Sequence, residues 1–203
     1  MTICLVTDRR RADPVAQARL AVEAGVDLIQ VRERDLDGRP LCALVRAVLD
    51  IARGGNTRIV VNDRVDVAVA TGADGVHLRS DSFSVEEARR LMPRPLLIGR
   101  SVHSPAEANA ANDADYLVAG TMFASPSKRD ATALLGIDGL RAIVRAADAP
   151  VLAIGGITLA RLDDVAAAGA AGIAAISLFT SGESLRDCVR MLRSRFDSVK
   201  PAP

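Results

Sequence analysis

The sequence predicts a single (β/α)8 TIM barrel, and three observations predict it. Eight short runs rich in Val, Ile and Leu recur along the 203 residues. Amphipathic stretches separate them. One joint between helix and strand is written three times, as Glu23-Ala24-Gly25-Val26-Asp27, Thr71-Gly72-Ala73-Asp74-Gly75 and Ala168-Gly169-Ala170-Ala171-Gly172. In each, a helix ends, glycine supplies a left-handed cap, and a strand follows within a few residues.

The strands expected are Ile3–Thr7, Leu28–Arg32, Arg58–Asn62, Gly75–Leu78, Leu97–Val102, Tyr116–Gly120, Val151–Gly155 and Gly172–Ser177. Most are apolar at both parities, as parallel strands covered on both faces are. Asp13 is placed to N-cap the first helix, with Pro14 at its first position and an apolar stripe through Val15, Ala18, Ala21 and Val22. Ser84 with Glu87 is a capping box for the fourth helix. A doubly wound open sheet is the alternative architecture, but no Gly-x-Gly-x-x-Gly follows the first strand. No linker or low-complexity tract interrupts the chain, so residues 1–203 read as one domain, with about 197–203 expected as a frayed tail.

Composition removes several classes of function. Lys and Arg number 26 against 25 Asp and Glu, which gives no basis for a nucleic-acid partner or an anionic membrane surface. Aromatic residues are 2% with no Trp, too few for a base-stacking platform. Cys4, Cys42 and Cys188 are an odd count without metal-site spacing, so neither a disulfide framework nor a zinc site is expected, and a reducing compartment fits. The apolar run Ile3–Val6 is too short for a secretion signal or a membrane span, so a cytoplasmic protein is expected.

Barrels of this kind carry their chemistry at the C-terminal ends of the strands. Asp8 follows the first strand. Gln30, Arg32 and Arg34 follow at period two on the second, so their side chains point the same way. The third ends in Asn62-Asp63-Arg64, the fourth carries His77, and the fifth ends in Ser101 and His103. The sixth runs into a long loop, Thr121 to about Gly136, that holds Ser125, Ser127 and Lys128 and is the best candidate for a lid. The seventh ends in Gly155-Gly156 and the eighth in Ile176-Ser177. Taken singly, each has a structural explanation: an arginine in a salt bridge, Asn-Asp as an N-cap, Gly-Gly as a turn. Polar residues or glycine at all eight ends argue for a site. Gly155-Gly156 with the amides near Thr158, together with Ile176-Ser177 and Lys128, point to a phosphate group.

The pieces Leu5-Val6-Thr7-Asp8, Gln30-Val31-Arg32-Glu33-Arg34, Val61-Asn62-Asp63-Arg64, Gly72-Ala73-Asp74-Gly75-Val76-His77-Leu78, Phe123-Ala124-Ser125-Pro126-Ser127-Lys128 and Ala153-Ile154-Gly155-Gly156-Ile157 resemble the thiamine phosphate synthase/TenI family, in the family's order and over nearly the whole chain. The resemblance implies the same barrel, a phosphorylated thiazole as the small-molecule substrate, and leaves a homodimer open. In the synthases of that family, hydroxymethylpyrimidine diphosphate and thiazole phosphate are joined with Mg²⁺ and diphosphate is released. Their motifs place Gln30, Arg32, Arg34 and Asn62 at the diphosphate, Asp63 on the metal, and Ser125, Ser127 and Lys128 in the sixth loop. Gly156, Ile176 and Ser177 fall at the thiazole phosphate.

Two departures from the synthase pattern stand out. Arg34 replaces the usual lysine, keeping the charge but not its point-like form. After the fourth strand, synthases read His-Leu-Gly-Gln-(acid)-Asp, whereas this chain reads His77-Leu78-Arg79-Ser80-Asp81-Ser82. Ser82 takes the place of the metal-binding Asp, with Asp81 one position early as a substitute, and Arg79 replaces the glycine. Ser82-Phe83-Ser84 and Gly99-Arg100-Ser101-Val102-His103-Ser104 resemble the TenI branch, whose members are thiazole tautomerases that move a proton without metal or other cofactor. His103 would be the proton carrier there, since an imidazole with a pKa of about 6.5 exchanges protons near neutrality. The leading expectation is therefore a TenI-like thiazole tautomerase with Ser101 among its binding residues. The alternatives are a Mg²⁺-dependent thiamine phosphate synthase and a non-catalytic thiazole-phosphate-binding or regulatory protein.

Overall fold

The computed structural model describes residues 1–93, 95–111, 113–124, 134–179 and 184–199. Strands β1 (Thr2–Val6), β2 (Leu28–Val31), β3 (Arg58–Asn62), β4 (Gly75–Leu78), β5 (Leu97–Val102), β6 (Tyr116–Gly120), β7 (Val151–Ile154) and β8 (Gly172–Ala175) each pair in parallel with the next. β8 closes the barrel on β1, from Thr2 opposite Gly172 to Leu5 opposite Ala175. Helices α1 (Pro14–Ala24), α2 (Gly38–Ala52), α3 (Val65–Thr71), α4 (Val85–Leu91), α5 (Pro105–Ala110), α6 (Gly136–Ala146), α7 (Leu162–Ala167) and α8 (Leu185–Asp197) follow the strands in order. None among the described residues is long and apolar enough to cross a membrane.

Strand parity divides the core in two. Cys4, Val6, Leu28, Val60, Tyr116, Val118, Leu152 and Ala174 pack inside the barrel. Ile3, Leu5, Ile29, Ile59, Val76, Leu78, Ile98, Leu117 and Ile173 belong to the layer shared with the helices. Strands buried on both faces are apolar at both parities for this reason, each fully buried Leu, Ile or Val contributing about 1.5–3 kcal/mol.

The local signals act as the sequence predicts. The Asp13 carboxylate accepts from the Val15 and Ala16 amides at 3.4 and 3.0 Å, with Pro14 opening α1. Ser84 and Glu87 form the reciprocal capping box of α4. Gly25, Gly72 and Gly169 take positive φ of 78°, 74° and 89° at the three repeated joints. The joints also do something their sequence did not disclose. Asp27 and Asp74, each just before a strand, accept the amides of Ile3 and Ile59 in the preceding strand at 2.7 and 2.8 Å, and Asp115 does the same for Ile98 at 2.7 Å. Arg193, Arg58 and Arg89 cover these carboxylates from outside. The bottom rim of the barrel is thus stitched by side chains.

Four strands are shorter at the C-terminal end than their apolar runs. The Arg32 amide donates to the Thr7 hydroxyl at 3.0 Å, so a side chain replaces the ladder at the ends of β1 and β2. Gly155 has φ 101°, which no strand continues, and Ser177 opens a 3-10 turn, Ser177–Phe179. At the C-terminal side, Asp197 is the last residue of α8 and pairs with the N-terminal amine at 2.9 Å; residues 200–203 lie outside the described residues.

Candidate active site at the C-terminal mouth of the barrel

Above the apolar interior lies a polar layer on the same inward parity. Gln30 is buried and donates from Nε2 to Asn62 Oδ1 at 2.9 Å, joining β2 to β3. His77 is buried between Tyr116, whose hydroxyl is 3.2 Å from Nδ1, and Ser101, whose Oγ is 2.9 Å from Nε2. Burial lowers the His77 imidazole to about 4, against the pull of Asp63 and with the help of Arg100 and Arg32, so the ring is neutral. Burial also raises the Tyr116 phenol well above its ordinary value, so it stays a donor. His77 is its one hydrogen-bond partner among the described residues. The phenol therefore donates to Nδ1, the Nε2–H donates to Ser101, and the Ser101 hydroxyl keeps its own proton for a ligand. Gly99 makes this chain of contacts possible. A Cβ there would stand 2.1 Å from Tyr116 Cζ and 2.5 Å from His77 Nδ1.

Around this layer runs a cationic rim. Arg32 is half-buried and Arg34 exposed, and among the described residues neither side chain makes a hydrogen bond or ion pair. Burial lowers the Arg32 pKa and repulsion from Arg34 lowers it further, against the attraction of Asp8 and Glu33. Glu33, between them, faces the other way and was missed by a reading of the strand-end side chains. Its buried carboxylate accepts from Thr7 Oγ1 at 2.6 Å and from the Arg9 amide at 3.1 Å. Since Thr7 Oγ1 also accepts from the Arg32 amide, Glu33 fixes the backbone that carries Arg32. The alternation that predicts Gln30, Arg32 and Arg34 on one side also predicts this opposite residue, but not its partners.

Asp63 adopts a left-handed conformation, φ 59°, uncommon outside glycine though tolerated by Asp. One of its oxygens accepts the Arg79 amide at 3.3 Å, and the other lies 3.6 Å from Arg79 Nη1. Asp81, exposed, also pairs with the Arg79 guanidinium, Nε to Oδ1 at 2.8 Å. Ser82 donates its amide to the Arg79 carbonyl at 3.1 Å. The half-buried Arg100 donates to the carbonyls of Ser80, at 2.9 Å, and Phe83. No cluster of three or more His, Cys, Asp or Glu able to hold a metal exists among the described residues.

His103, exposed just beyond β5, has Nδ1 2.5 Å from the Gly120 carbonyl oxygen and its amide on Glu107 at 2.9 Å. In the neutral ring Nδ1 then carries the proton and Nε2 is the acceptor. Gly155 and Gly156 lie at the end of β7, Ile176 and Ser177 at the end of β8, across the closed sheet from β3 and β4. Gly156, φ 63°, passes close to the start of the sixth loop. A Cβ would stand 2.7 Å from the Phe123 carbonyl and 2.8 Å from that of Ala124. The glycine thus admits neighbouring backbone that a side chain would exclude. Thr158 precedes a 3-10 turn, Leu159–Arg161, rather than a long helix, so the expected anion-binding helix terminus is reduced to one turn before the six-residue α7. Ser125, Ser127 and Lys128 lie outside the described residues.

Fold and mouth together define a (β/α)8-barrel enzyme with a polar mouth at the C-terminal ends of its strands. The family model described as thiamine monophosphate synthase matches residues 3–179, and the chain belongs to this family. It is 44% identical over 185 residues to the thiamine-phosphate synthase of Methanoculleus marisnigri, covering 90% of this chain and 88% of that one. The thiamine-phosphate synthase of Methanoregula boonei is likewise 44% identical, with 90% and 86% covered. The solved structure of thiamine phosphate pyrophosphorylase from Pyrococcus furiosus superposes with a TM-score of 0.86 at 35% identity, covering 97% of this chain and 95% of that one. A 3-hexulose-6-phosphate synthase at 18% identity and TM-score 0.71 shares the fold alone. The Methanoculleus and Methanoregula relatives are named thiamine-phosphate synthases, so the similarity favours the synthase alternative over the tautomerase that the residues after β4 and β5 suggested.

Proposed function

We propose that the protein is a thiamine phosphate synthase. In this reaction the bond between the pyrimidine methylene carbon and the diphosphate oxygen breaks, and diphosphate leaves with the electron pair. The thiazole nitrogen donates its lone pair to that carbon, forming the new C–N bond. The observation that carries the reading is Arg32, a half-buried guanidinium without an ion-pair partner among the described residues, in a chain whose relatives are synthases. An unpaired, partly desolvated cation is costly unless an anion arrives to meet it. A departing diphosphate is such an anion, and fixed positive groups stabilise the charge it develops.

Arg32 and Arg34 hold the diphosphate. Gln30, fixed by Asn62, and the Ser101 hydroxyl, fixed by His77, orient the pyrimidine. Gly155, Gly156, Ile176 and Ser177 take the thiazole phosphate across the mouth, with Ser125, Ser127 and Lys128 from the sixth loop. Mg²⁺ is the metal this reaction uses in the family, adding charge to balance the leaving group, and Asp63 is the residue to hold it. The fit is poor: Asp63 is already paired with Arg79, and Ser82 offers no second carboxylate. The substrates are small phosphorylated molecules, which suits a cytoplasmic enzyme.

The test is release of inorganic diphosphate in equal amount with thiamine phosphate, requiring hydroxymethylpyrimidine diphosphate and thiazole phosphate together. Absence of both products from folded protein would refute the reading. His103 supports a second one. Its anchored Nδ1 leaves Nε2 as a proton acceptor, as a thiazole tautomerase needs. Binding of thiazole phosphate without turnover in either assay would instead indicate a binding or regulatory protein.

A further inference from the structure

We propose that Arg79 is a built-in cation standing where a divalent metal would sit, so that this chain takes up a diphosphate group without first binding a metal ion. The proposal rests on the synthase reading for the identity of that group. Arg79 lies two residues beyond His77 and makes four polar contacts with two acids. Its amide donates to Asp63 Oδ1 at 3.3 Å, its Nη1 is 3.6 Å from Asp63 Oδ2, and its guanidinium pairs with both oxygens of Asp81. Asp63 and Asp81 therefore share one guanidinium. A divalent ion approaching Asp63 meets that fixed positive charge and must displace it.

A guanidinium stays protonated throughout the accessible pH range, so the position is not vacated by titration. Its supporting loop is also held. Arg100 donates to the carbonyls of Ser80 and Phe83, on either side of Asp81 and Ser82, and adds its own charge. Arg79 acts on the rim as a cation should: its charge, with that of Arg34, weighs against protonation of Arg32. Asp63 and Asp81 are both engaged by Arg79, and Asp8, Glu33 and Glu107 attract Arg32 and Arg100 from further off, which leaves the Arg32 and Arg34 guanidiniums without a hydrogen bond or ion pair among the described residues. Those two uncommitted guanidiniums suit a diphosphate, while the single hydroxyl of Ser82 adds nothing for Mg²⁺, which is usually held by one or two carboxylates and phosphate oxygens.

The experiment uses the full chain and two probes, Mn²⁺ alone followed by electron paramagnetic resonance, and inorganic diphosphate followed by calorimetry in the presence of a chelator. Wild type is expected to bind diphosphate without metal. Arg79→Gln is expected to lose on the order of tenfold in that affinity, the effect of one charge-assisted contact. Arg79→Gln and the double variant Arg79→Gly, Ser82→Asp are expected to gain at least about tenfold in Mn²⁺ affinity. Circular dichroism melting establishes that each variant is folded. Wild type that binds Mn²⁺ as tightly as Arg79→Gln, or that binds diphosphate only when metal is added, would overturn the proposal even if the enzyme makes thiamine phosphate. Metal-free diphosphate binding that depends on Arg79, in a protein without synthase activity, would uphold it and reject the synthase reading instead.

Discussion

Lowering the pH tests the polar layer inside the barrel through His77. Its folded pKa of about 4 lies below the ordinary 6.5, so the folded state binds fewer protons than the unfolded chain in that window. Stability tied to His77 is then fully present above 6.5 and is lost as the pH falls toward about 4. Integrated over the window, the effect approaches about 3 kcal/mol, at 1.36 kcal/mol for each pH unit. Against a typical domain stability of about 5–15 kcal/mol, it is readily measured. Urea unfolding of wild type and His77→Gln, at pH values from above 6.5 down to about 4, isolates the term, because carboxylate titrations are common to both proteins. Near neutrality the variant is expected to be less stable by about 1–3 kcal/mol, since Tyr116 and Ser101 lose a partner. The gap should shrink steadily as the pH falls toward about 4. Two stability curves that run parallel across the window would refute the neutral, buried imidazole and the hydroxyl orientation built on it.

Other perturbations read other parts of the structure. Gly99→Ala places a methyl against Tyr116 and His77 and is expected to cost about 1–3 kcal/mol in unfolding experiments; a stability within error of wild type would contradict the close packing. Asp74→Ala strips the Ile59 amide of its acceptor and is expected to cost about 1–3 kcal/mol, with Asp74→Asn recovering part. Arg32→Ala should lower kcat/KM for the pyrimidine diphosphate by about ten- to a hundredfold while leaving the melting temperature equal or higher, because it removes an unpaired half-buried charge. A thiol reagent should spare Cys4 in the native protein, because burial pushes its pKa up to about 12, and modify it after unfolding; rapid native labelling of Cys4 would show that the barrel interior opens.

The barrel was legible because its rules are local. Runs such as Arg58–Asn62 and Leu97–Val102 coincide residue for residue with strands, and the Asp13 and Ser84 caps need only the neighbouring sequence. Period two placed Gln30, Arg32 and Arg34 on one side, and the structure grades them from buried through half-buried to exposed. What stayed hidden depends on register between strands. Glu33 finds Thr7 and Arg9, His77 finds Tyr116, and Asp27 finds Ile3 across sequence separations that no motif records. Arg79 was visible as a departure from the family pattern, but its hold on both Asp63 and Asp81 follows from the left-handed turn at Asp63 and the return of the loop after β4. The choice between the two activities was the least legible part. It turned on a few positions, Ser82 and His103 among them, whereas the similarity to synthases is spread over 90% of the chain.

The most direct test sets both activities side by side on one preparation. The protein is given hydroxymethylpyrimidine diphosphate with thiazole phosphate in one vessel and the carboxylated thiazole phosphate tautomer in another, and both are followed by phosphorus NMR. A synthase converts the first mixture to thiamine phosphate and diphosphate in equal amounts and leaves the tautomer at its uncatalysed rate. Rapid aromatisation of the tautomer, with the first mixture unchanged, would contradict the proposed function and make His103 the residue on which the chemistry turns.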